Sequence, residues 1–316
     1  MVLSVLQMVF PIVLLLGLGT LCRRKQILTP DGLAGLKSIV GNICLPVVLF
    51  NAFFTAHYSP SVLLIFLTVY LGFGAALLAG FALRKLAAPH GKFFPFLLTS
   101  AEGGMLGYAL YGMLISEPSG FAVVDLGQTV FAYTAFLGTL TLVDGQTPSA
   151  GKLLRNIVTN KCCIGMALGI ALGIAGVGER MLAGPSAGLV FGVLSALITP
   201  TISAITAPTS ALVLLIVGYE LELDKKLLRP VAVTVLTRLA LMGGLFVLVS
   251  FVIFRIIPYD PALQIALMIL YALPAPFIIP LFADVGDEGK YISTSLSVHT
   301  LCTVLLFAVI AAYRLA

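Results

Sequence analysis

Ionisable side chains stand inside long apolar runs of this 316-residue sequence, where a charge is costly. Four of them are candidates here: Glu102 in the run 93–116, Asp125 in 120–143, Arg238 in 231–257 and His299 in 291–313. A charge in an apolar medium must be neutralised, paired or bound to a counter-ion, and such residues often mark sites for ions or substrates. These positions are therefore the first candidates for chemistry.

Glu102 carries the strongest prediction, because Ala101-Glu102-Gly103-Gly104 interrupts its run near the middle. We predict that Glu102 carries a proton or binds a cation. The alternative is a structural hydrogen bond between its carboxylate and the interrupted backbone. Arg238 is predicted to extend to the nearer surface, to pair with Glu102 or to attract a carboxylate.

The other polar residues offer a path for an ion. Asp125 lies near the end of its run, at a depth where it can meet water, and Gln128 and Thr129 follow one turn deeper. His299 is predicted to be either a hydrogen-bonded core residue or a proton shuttle. Ion coupling is thus assigned to Glu102, Asp125, Gln128, Arg238 and His299, and the sequence leaves open whether the ion is H⁺ or Na⁺.

Two segments rich in glycine or proline, 100–108 and 273–280, interrupt runs that would otherwise be continuous helices. A broken helix leaves amide and carbonyl groups unpaired, and inside a membrane such groups are tolerated where they line a buried or ligand-filled site. The alternative is that the breaks only kink packed helices. The substrate-binding residues predicted from these segments are Glu102, Gly103, Gly104, Tyr108, Pro274, Ala275 and Pro276.

Two further polar residues flank prolines in other apolar runs. Asn42 precedes Pro46, and Thr206 precedes Pro208. They either relieve carbonyl groups freed by the prolines or face the substrate, and both are included in the predicted site.

Composition identifies the elements that must hold these residues. Hydrophobic residues make up 60% of the chain, charged residues only 10%, and the mean hydropathy is +1.12. Because a soluble domain carries about 25% charged residues, the composition excludes an ordinary cytosolic enzyme, a disordered chain and a nucleic-acid binder. The five cysteines show no repeated pair spacing, so neither a zinc site nor a disulfide framework is indicated.

Ten apolar runs reach about 20 residues, the length that crosses a bilayer as a helix. They are 3–22, 32–56, 61–83, 93–116, 120–143, 157–177, 189–221, 231–257, 262–283 and 291–313. The polar stretch 144–152 separates five runs from five. The sequence therefore predicts an all-α membrane protein with ten transmembrane helices, divided into repeats at 1–145 and 152–316.

The basic residues test this number, since they concentrate in the cytoplasmic loops of membrane proteins. If ten spans alternate, fourteen of the 18 Lys and Arg residues fall on one side of the membrane. Those fourteen are Arg23, Arg24, Lys25, Lys37, Arg84, Lys85, Lys92, Lys152, Arg155, Lys161, Lys225, Lys226, Arg229 and Lys290. We therefore predict a multi-pass protein of the plasma (inner) membrane with both termini outside the cytoplasm.

Five spans in each half reverse the orientation of the second half, so similar halves would form an inverted repeat. Pro46 and Pro208 lie in the second span of each half, and the fourth span of each half is the interrupted one. An inverted repeat with a pair of interrupted helices is typical of secondary transporters. In the sixth span, the four-residue spacing of Gly165, Gly169 and Gly173 predicts close helix packing.

Several short motifs resemble the auxin efflux carrier family of membrane transporters, in the same order over essentially the whole chain. They are Gly17-Leu18-Gly19, Arg23-Arg24, the stretch 42–46, Gly218-Tyr219-Glu220-Leu221, Leu273-Pro274-Ala275-Pro276, Ala283-Asp284-Val285-Gly286-Asp287 and Ser293-Thr294-Ser295-Leu296-Ser297. The resemblance implies a 5+5 inverted repeat with two broken, crossing helices. It also implies a scaffold of helices 1, 2, 6 and 7, a moving transport domain of helices 3–5 and 8–10, and a homodimer formed through the scaffold.

The resemblance further implies that the substrate is a small organic anion such as auxin or a dicarboxylate, and that the fold is similar to that of sodium–bile acid symporters. One position departs from the family. Glu102 stands where members often carry the Asn of Asn-x-Gly-x-x-Gly-x-Pro, and Ala109 stands in place of the Pro. A carboxylate at this binding position would be protonated or would prefer a cation.

The sequence therefore predicts a secondary active transporter that moves a small organic anion by alternating access, without a cofactor, with coupling at Glu102. A sodium-coupled symporter of the bile-acid type is the alternative within transport. A channel would leave the repeat unexplained. An intramembrane enzyme lacks sequence support, since a His-Glu-x-x-His motif is missing from the sequence. The letters Gly-x-Ser-x-Gly occur at 184–188, but between two apolar runs rather than at the strand-to-helix turn that the hydrolase motif needs.

Overall fold

Helices account for the regular structure of the chain in a computed structural model that describes residues 2–56, 58–115, 119–143, 151, 155, 158–277, 279 and 283–315. Within those ranges there is no β-strand. The predicted linker 144–152 lies outside the described residues, apart from Gly151. Pro280, at the end of the second predicted break, also lies outside them.

The first half of the chain contains eight described α-helices. They are α1 (Val2–Arg24), α2 (Pro30–Ile39), α3 (Leu45–Phe54), α4 (Pro60–Leu83), α5 (Phe94–Leu98), α6 (Tyr108–Leu114), α7 (Ser119–Phe131) and α8 (Leu137–Val143). The π-helical segment Val40–Cys44 joins α2 to α3 just before Pro46, because a proline lacks the N–H that the α-helical ladder needs. A second π-helical segment, Ala132–Phe136, joins α7 to α8.

The second half contains seven described α-helices. They are α9 (Lys161–Ile174), α10 (Val177–Ala183), α11 (Leu189–Thr206), α12 (Thr209–Glu220), α13 (Leu228–Ile256), α14 (Pro261–Ala272) and α15 (Gly289–Leu315). The predicted span 157–177 is shorter in the structure, because the chain bends by 76° after α9. Gly176 makes this bend at φ +70°, a left-handed conformation that glycine adopts without steric cost.

Seven helices in the described ranges are long and apolar enough to cross a membrane, or eight if the bent pair around Gly176 is one span. The seven are Val5–Arg24, Pro30–Phe54, Pro60–Ala87, Gly120–Val143, Leu189–Glu220, Lys225–Ile256 and Gly286–Leu315. They match the first, second, third, fifth, seventh, eighth and tenth predicted runs. The chain therefore has the character of a membrane-embedded protein.

The surface supports the same conclusion. The helix α11 has no buried residue, and its Leu189 and Leu197 are 85% and 64% exposed. A helix that shows apolar side chains on every side is stable against lipid or another apolar surface, but is unfavourable in water.

Close backbone packing joins helices from opposite halves of the chain. Helix α1 packs against α12, and α3 packs against α9. At the second contact a Cβ atom on Gly169 would lie 2.6 Å from the carbonyl oxygen of Phe50, and one on Gly173 would lie 2.8 Å from that of Phe53. The predicted close packing of the glycine stripe in the sixth span is confirmed.

A second group of helices packs around aromatic rings. The ring of Phe73 in α4 stacks on Tyr271 of α14, with 5.4 Å between centroids, and lies 5.9 Å from Phe131 of α7. Helix α13 contacts α4, α5, α14 and α15. This group holds both interrupted runs, so the aromatic packing fixes the helices on which the predicted breaks lie.

Candidate functional site

The two predicted breaks contact each other. Residues 99–102 connect α5 to the π-helical segment Gly103–Gly107, and residues 273–276 follow α14 without helical structure. The N–H of Glu102 donates a 3.0 Å hydrogen bond to the carbonyl oxygen of Pro274. We call the contact between 99–102 and 273–276 the junction. Each break therefore supplies a backbone partner to the other, which a membrane interior requires.

Arg238 binds both breaks from a third helix, α13. Its guanidinium donates hydrogen bonds to the carbonyl oxygens of Leu97 (3.0 Å), Thr99 (3.1 Å), Ser100 (2.5 Å) and Leu273 (3.0 Å). The last carbonyls of a helix have no intrahelical donor, so the arginine supplies the donors that the two breaks lack. The prediction that Arg238 extends to the surface is wrong, because its side chain is only 1% exposed.

Glu102 lies where the junction meets open space. Its side chain is 7% exposed, and its Oε2 accepts a 2.7 Å hydrogen bond from the N–H of Phe277, at the far end of the second break. A hydrogen bond from an amide to a carboxylate is stronger than one between neutral groups. Glu102 therefore ties the first break to the second by its side chain as well as by its backbone.

A cavity of about 590 Å³ begins at Glu102 and Phe277. One wall is the polar side of α15, with Ser293, Ser297 and Thr300. The other walls come from α1, α2, α3 and α12. The cavity therefore lies between the helices that carry the breaks and the helices that pack across the two halves.

Besides Glu102, four charged residues line the cavity: Arg23, Lys37, Glu220 and Glu222. Lys37 and Glu220 form an ion pair, with side chains 42% and 41% exposed. Glu222 accepts a 3.2 Å hydrogen bond from the hydroxyl of Ser293. The cavity thus offers both signs of charge.

Behind the junction lies a polar cluster around Asp125. This residue is completely buried, so the prediction that it meets water is wrong. Its Oδ2 accepts a 3.2 Å hydrogen bond from Thr129, while Oδ1 lies so close to Gly103 that a Cβ atom there would overlap it. Gln128 donates from Nε2 to the Ser100 hydroxyl (2.9 Å) and to the Ala101 carbonyl (2.5 Å). The cluster thus supports the first break, and its residues Asp125, Gln128 and Thr129 do not line the cavity.

The remaining predicted residues fall into two groups. Gly104, Tyr108, Pro274, Ala275 and Pro276 belong to the interrupted helices but do not line the cavity. His299 is buried within α15, and its Nε2 makes no hydrogen bond within the described part of the chain. Of the residues predicted to bind the substrate, Glu102 lines the cavity.

Asn42 and Thr206 serve their own helices. The Asn42 amide donates to the carbonyl of Ser38 at 2.9 Å, and the Thr206 hydroxyl donates to the carbonyl of Ser203 at 3.4 Å. Neither residue lines the cavity. A proline at position i leaves the carbonyl of residue i−4 without a donor, here that of Asn42 or Ala204. The observed bonds go to other carbonyls, so the predicted relief of carbonyls freed by the prolines is not seen at these two residues.

One contact involves the acidic loop 284–288. Glu288 accepts a 2.7 Å hydrogen bond from Nδ1 of His90, whose ring stacks on Tyr291 with 4.3 Å between centroids. This pair connects the loop before the first break to the loop after the second. Nothing in the local sequence around either residue indicates the pairing.

Comparisons with known proteins do not extend the resemblance seen in the sequence. No protein-family model matches the chain, and no curated protein matches it. Within the described residues, no group of three or more His, Cys, Asp or Glu side chains could hold a metal ion. Independence from a cofactor stays a prediction of the sequence.

Proposed function

We propose that this chain is a secondary active transporter that moves a small organic anion across the membrane by alternating access, with Glu102 as the coupling residue. The observation that carries the proposal is the junction. Two interrupted helices share hydrogen bonds inside an apolar helical bundle, and an ionisable side chain at their contact faces a cavity. Transporters commonly bind substrate and coupling ion at such discontinuous helices.

The helix contacts support a 5+5 inverted repeat. If the two halves are equivalent, a contact between the first and seventh predicted spans must be matched by a contact between the sixth and the second. The pairs α1–α12 and α9–α3 fulfil this requirement. A contact between the third and fifth predicted spans must likewise be matched by one between the eighth and the tenth. The pairs α4–α7 and α13–α15 fulfil this second requirement.

The position of the cavity supports a division into scaffold and transport domain. Its lining comes from the first, second and seventh predicted spans on one side, and from the tenth span and the two breaks on the other. If helices 3–5 and 8–10 move as a body against the scaffold, the cavity changes its access while Glu102 stays at the junction. The basic residues that define the predicted cytoplasmic side include Arg23 and Lys37, so this conformation is open to the cytoplasm.

An organic anion fits the basic side chains of the cavity and the backbone amide at its inner end. Arg23 attracts an anion electrostatically, whereas Lys37 would first have to leave its ion pair with Glu220. The N–H of Phe277 is held by the Glu102 carboxylate. Protonation of Glu102 would weaken that hydrogen bond and release the amide to a substrate carboxylate. Anion and proton would then bind together.

A substrate that carries a cationic group is the second candidate. The cavity is lined by three carboxylates, Glu102, Glu220 and Glu222, against two basic side chains. Arg238, the arginine closest to the junction, does not line the cavity. A cation would bind Glu102 directly, without a proton exchange.

Uptake by the purified protein in proteoliposomes tests the proposal. Carboxylates and amines are screened with imposed proton and sodium gradients, and a single-channel recording checks for conductance. Gradient-dependent uptake of a carboxylate supports the anion transporter, and uptake of amines alone supports the second candidate. Folded protein without any gradient-dependent uptake, or with channel conductance, contradicts transport by alternating access.

A further inference from the structure

The carbonyl oxygens at the junction form a site suited to a cation. Leu97 and Thr99 lie at the end of α5, Ser100 follows them, and Leu273 lies at the end of α14. The carbonyl end of a helix carries partial negative charge. Carbonyls freed in discontinuous helices are also the groups that coordinate sodium in many transporters. Two such ends converge here on one buried point.

Arg238 occupies that point. Its two terminal nitrogens donate to all four oxygens, at 2.5–3.1 Å. Arginine stays charged in proteins, so the site holds a cation permanently. An ion that entered would have to displace a guanidinium that is tethered to α13 and buried among the helices it joins.

Ser100 shows that the geometry is organised around the guanidinium. Its backbone adopts φ +59°, a strained conformation for a residue with a side chain. In this conformation the Ser100 carbonyl makes the shortest of the four hydrogen bonds, at 2.5 Å. Removing the guanidinium would leave four buried carbonyls without this donor and would leave the strain without this compensation.

The geometry points to Arg238 as a built-in cation that replaces a sodium ion at the junction, so that transport by this chain is independent of Na⁺. The inference rests on the proposed transport function, and it names the ion specificity of the same site. Arg238 is a positioning residue: it shapes the backbone around the substrate cavity and does not touch the cavity itself.

Thermal unfolding of the purified protein tests this assignment without any knowledge of the substrate. Melting midpoints are measured in NaCl, KCl and choline chloride at equal ionic strength, because a ligand that binds the folded state raises the midpoint. The variants are Arg238→Ala and Arg238→Lys. Arg255→Ala is the matched control, since Arg255 lies on the same helix but is exposed and sits over the ring of Phe251.

We expect the wild type and Arg255→Ala to melt at the same temperature in all three salts. Arg238→Ala is expected to melt several degrees lower in choline chloride and to recover part of the loss in NaCl, with saturation. Arg238→Lys keeps the charge with fewer donors. Its melting midpoint should lie between those of the wild type and Arg238→Ala and should be the same in NaCl as in the other two salts. If Arg238→Ala cannot be purified in folded form, the wild type and Arg238→Lys decide the matter.

Two results would overturn the assignment: a saturable stabilisation of the wild type by Na⁺ but not by K⁺, or an Arg238→Ala variant as stable as the wild type. The transport assay separates this inference from the proposed function. Uptake driven by a sodium gradient would contradict the role of Arg238 and leave the transporter intact. Absence of any uptake would contradict the transporter and leave the melting results to be judged on their own.

Discussion

The N–H of Phe277 donates a 2.7 Å hydrogen bond to Oε2 of Glu102, a residue 175 positions earlier in the chain. Each residue belongs to a different interrupted helix, so the side chain of the first break satisfies the backbone of the second. Helix interruptions leave amides that attract anions. Here the anion is part of the protein, and it stands at the inner end of the cavity. A substrate anion would have to compete with Glu102 for the same amide.

Replacement of Glu102 by glutamine tests this competition. A glutamine keeps the size of the side chain but removes the negative charge and the titration. A hydrogen bond to a charged group contributes about 1.5–3 kcal/mol, which corresponds to roughly tenfold or more in binding. We expect Glu102→Gln to lose the pH dependence of uptake and its stimulation by a proton gradient, and to bind the substrate anion about tenfold more tightly, because the competing charge is gone.

Glu220→Gln is the control for this prediction, because Glu220 lines the same cavity but pairs with Lys37 away from the junction. It should alter the apparent affinity for the substrate while the pH dependence remains. Initial rates in proteoliposomes over a range of pH values provide the measurement. A Glu102→Gln variant with wild-type rates and wild-type pH dependence would remove Glu102 from the coupling mechanism.

Neighbouring glycines at the first break should tolerate a methyl group very differently. A Cβ atom on Gly103 would overlap Oδ1 of Asp125 and lie 3.0 Å from its Cγ, whereas one on Gly104 meets nothing within 4 Å. Asp125 is completely buried and cannot move aside into solvent. Overpacking of this kind costs about 1–3 kcal/mol. We therefore expect Gly103→Ala to lower the melting midpoint by several degrees.

Gly104→Ala is the matched control and should melt at or slightly above the wild-type temperature, since alanine is favoured over glycine in helical segments. Both variants differ from the wild type by one methyl group and lie one residue apart. Equal midpoints for the two would show that Asp125 does not pack against the first break as the structure has it.

The length of the apolar runs and the positions of helix breakers were sufficient to predict the long helices and the places where two of them break. Seven of the predicted runs appear as long apolar helices, and the glycine and proline segments mark the true interruptions. These features are local, because the length of an apolar run and the position of a helix breaker depend on neighbouring residues. The position of Glu102 beside the first break was therefore also predictable.

The destination of Arg238 was not predictable in the same way. A lone arginine in an apolar helix can extend to the surface or pair with an acidic residue. Both outcomes can be judged from a sequence, because it shows the end of the apolar run and the acidic residues. Its actual partners are backbone carbonyls from residues 35 to 141 positions away. Every residue has a carbonyl, so no residue type signals it. The burial of Asp125 likewise depends on how α7 packs against the first break.

The glycine stripe on α9 leads to a prediction about helix packing. A Cβ atom on Gly169 would lie 2.6 Å from the carbonyl oxygen of Phe50 and 3.0 Å from Cβ of Phe53. Because the contact is with backbone, α3 and α9 would have to move apart to admit the methyl group. We expect Gly169→Ala to cost about 1–3 kcal/mol and to lower the melting midpoint in detergent. Gly244→Ala, a helical glycine on α13 with nothing within 4 Å, should leave it unchanged.

The side of the membrane that each loop faces can be tested by labelling single cysteines. The distribution of basic residues predicts that the loop around Asp287 is cytoplasmic and the loop around Tyr259 is outside. Both positions are exposed, which makes them accessible to a reagent.

In a chain whose five native cysteines are replaced by alanine, Tyr259→Cys should react with a membrane-impermeant maleimide on intact cells. Asp287→Cys should react only after the cells are opened or the vesicles are inverted. The reverse pattern would place both termini in the cytoplasm. Labelling of both loops from the same side would contradict the single crossing, 262–283, that the sequence predicts between the two positions.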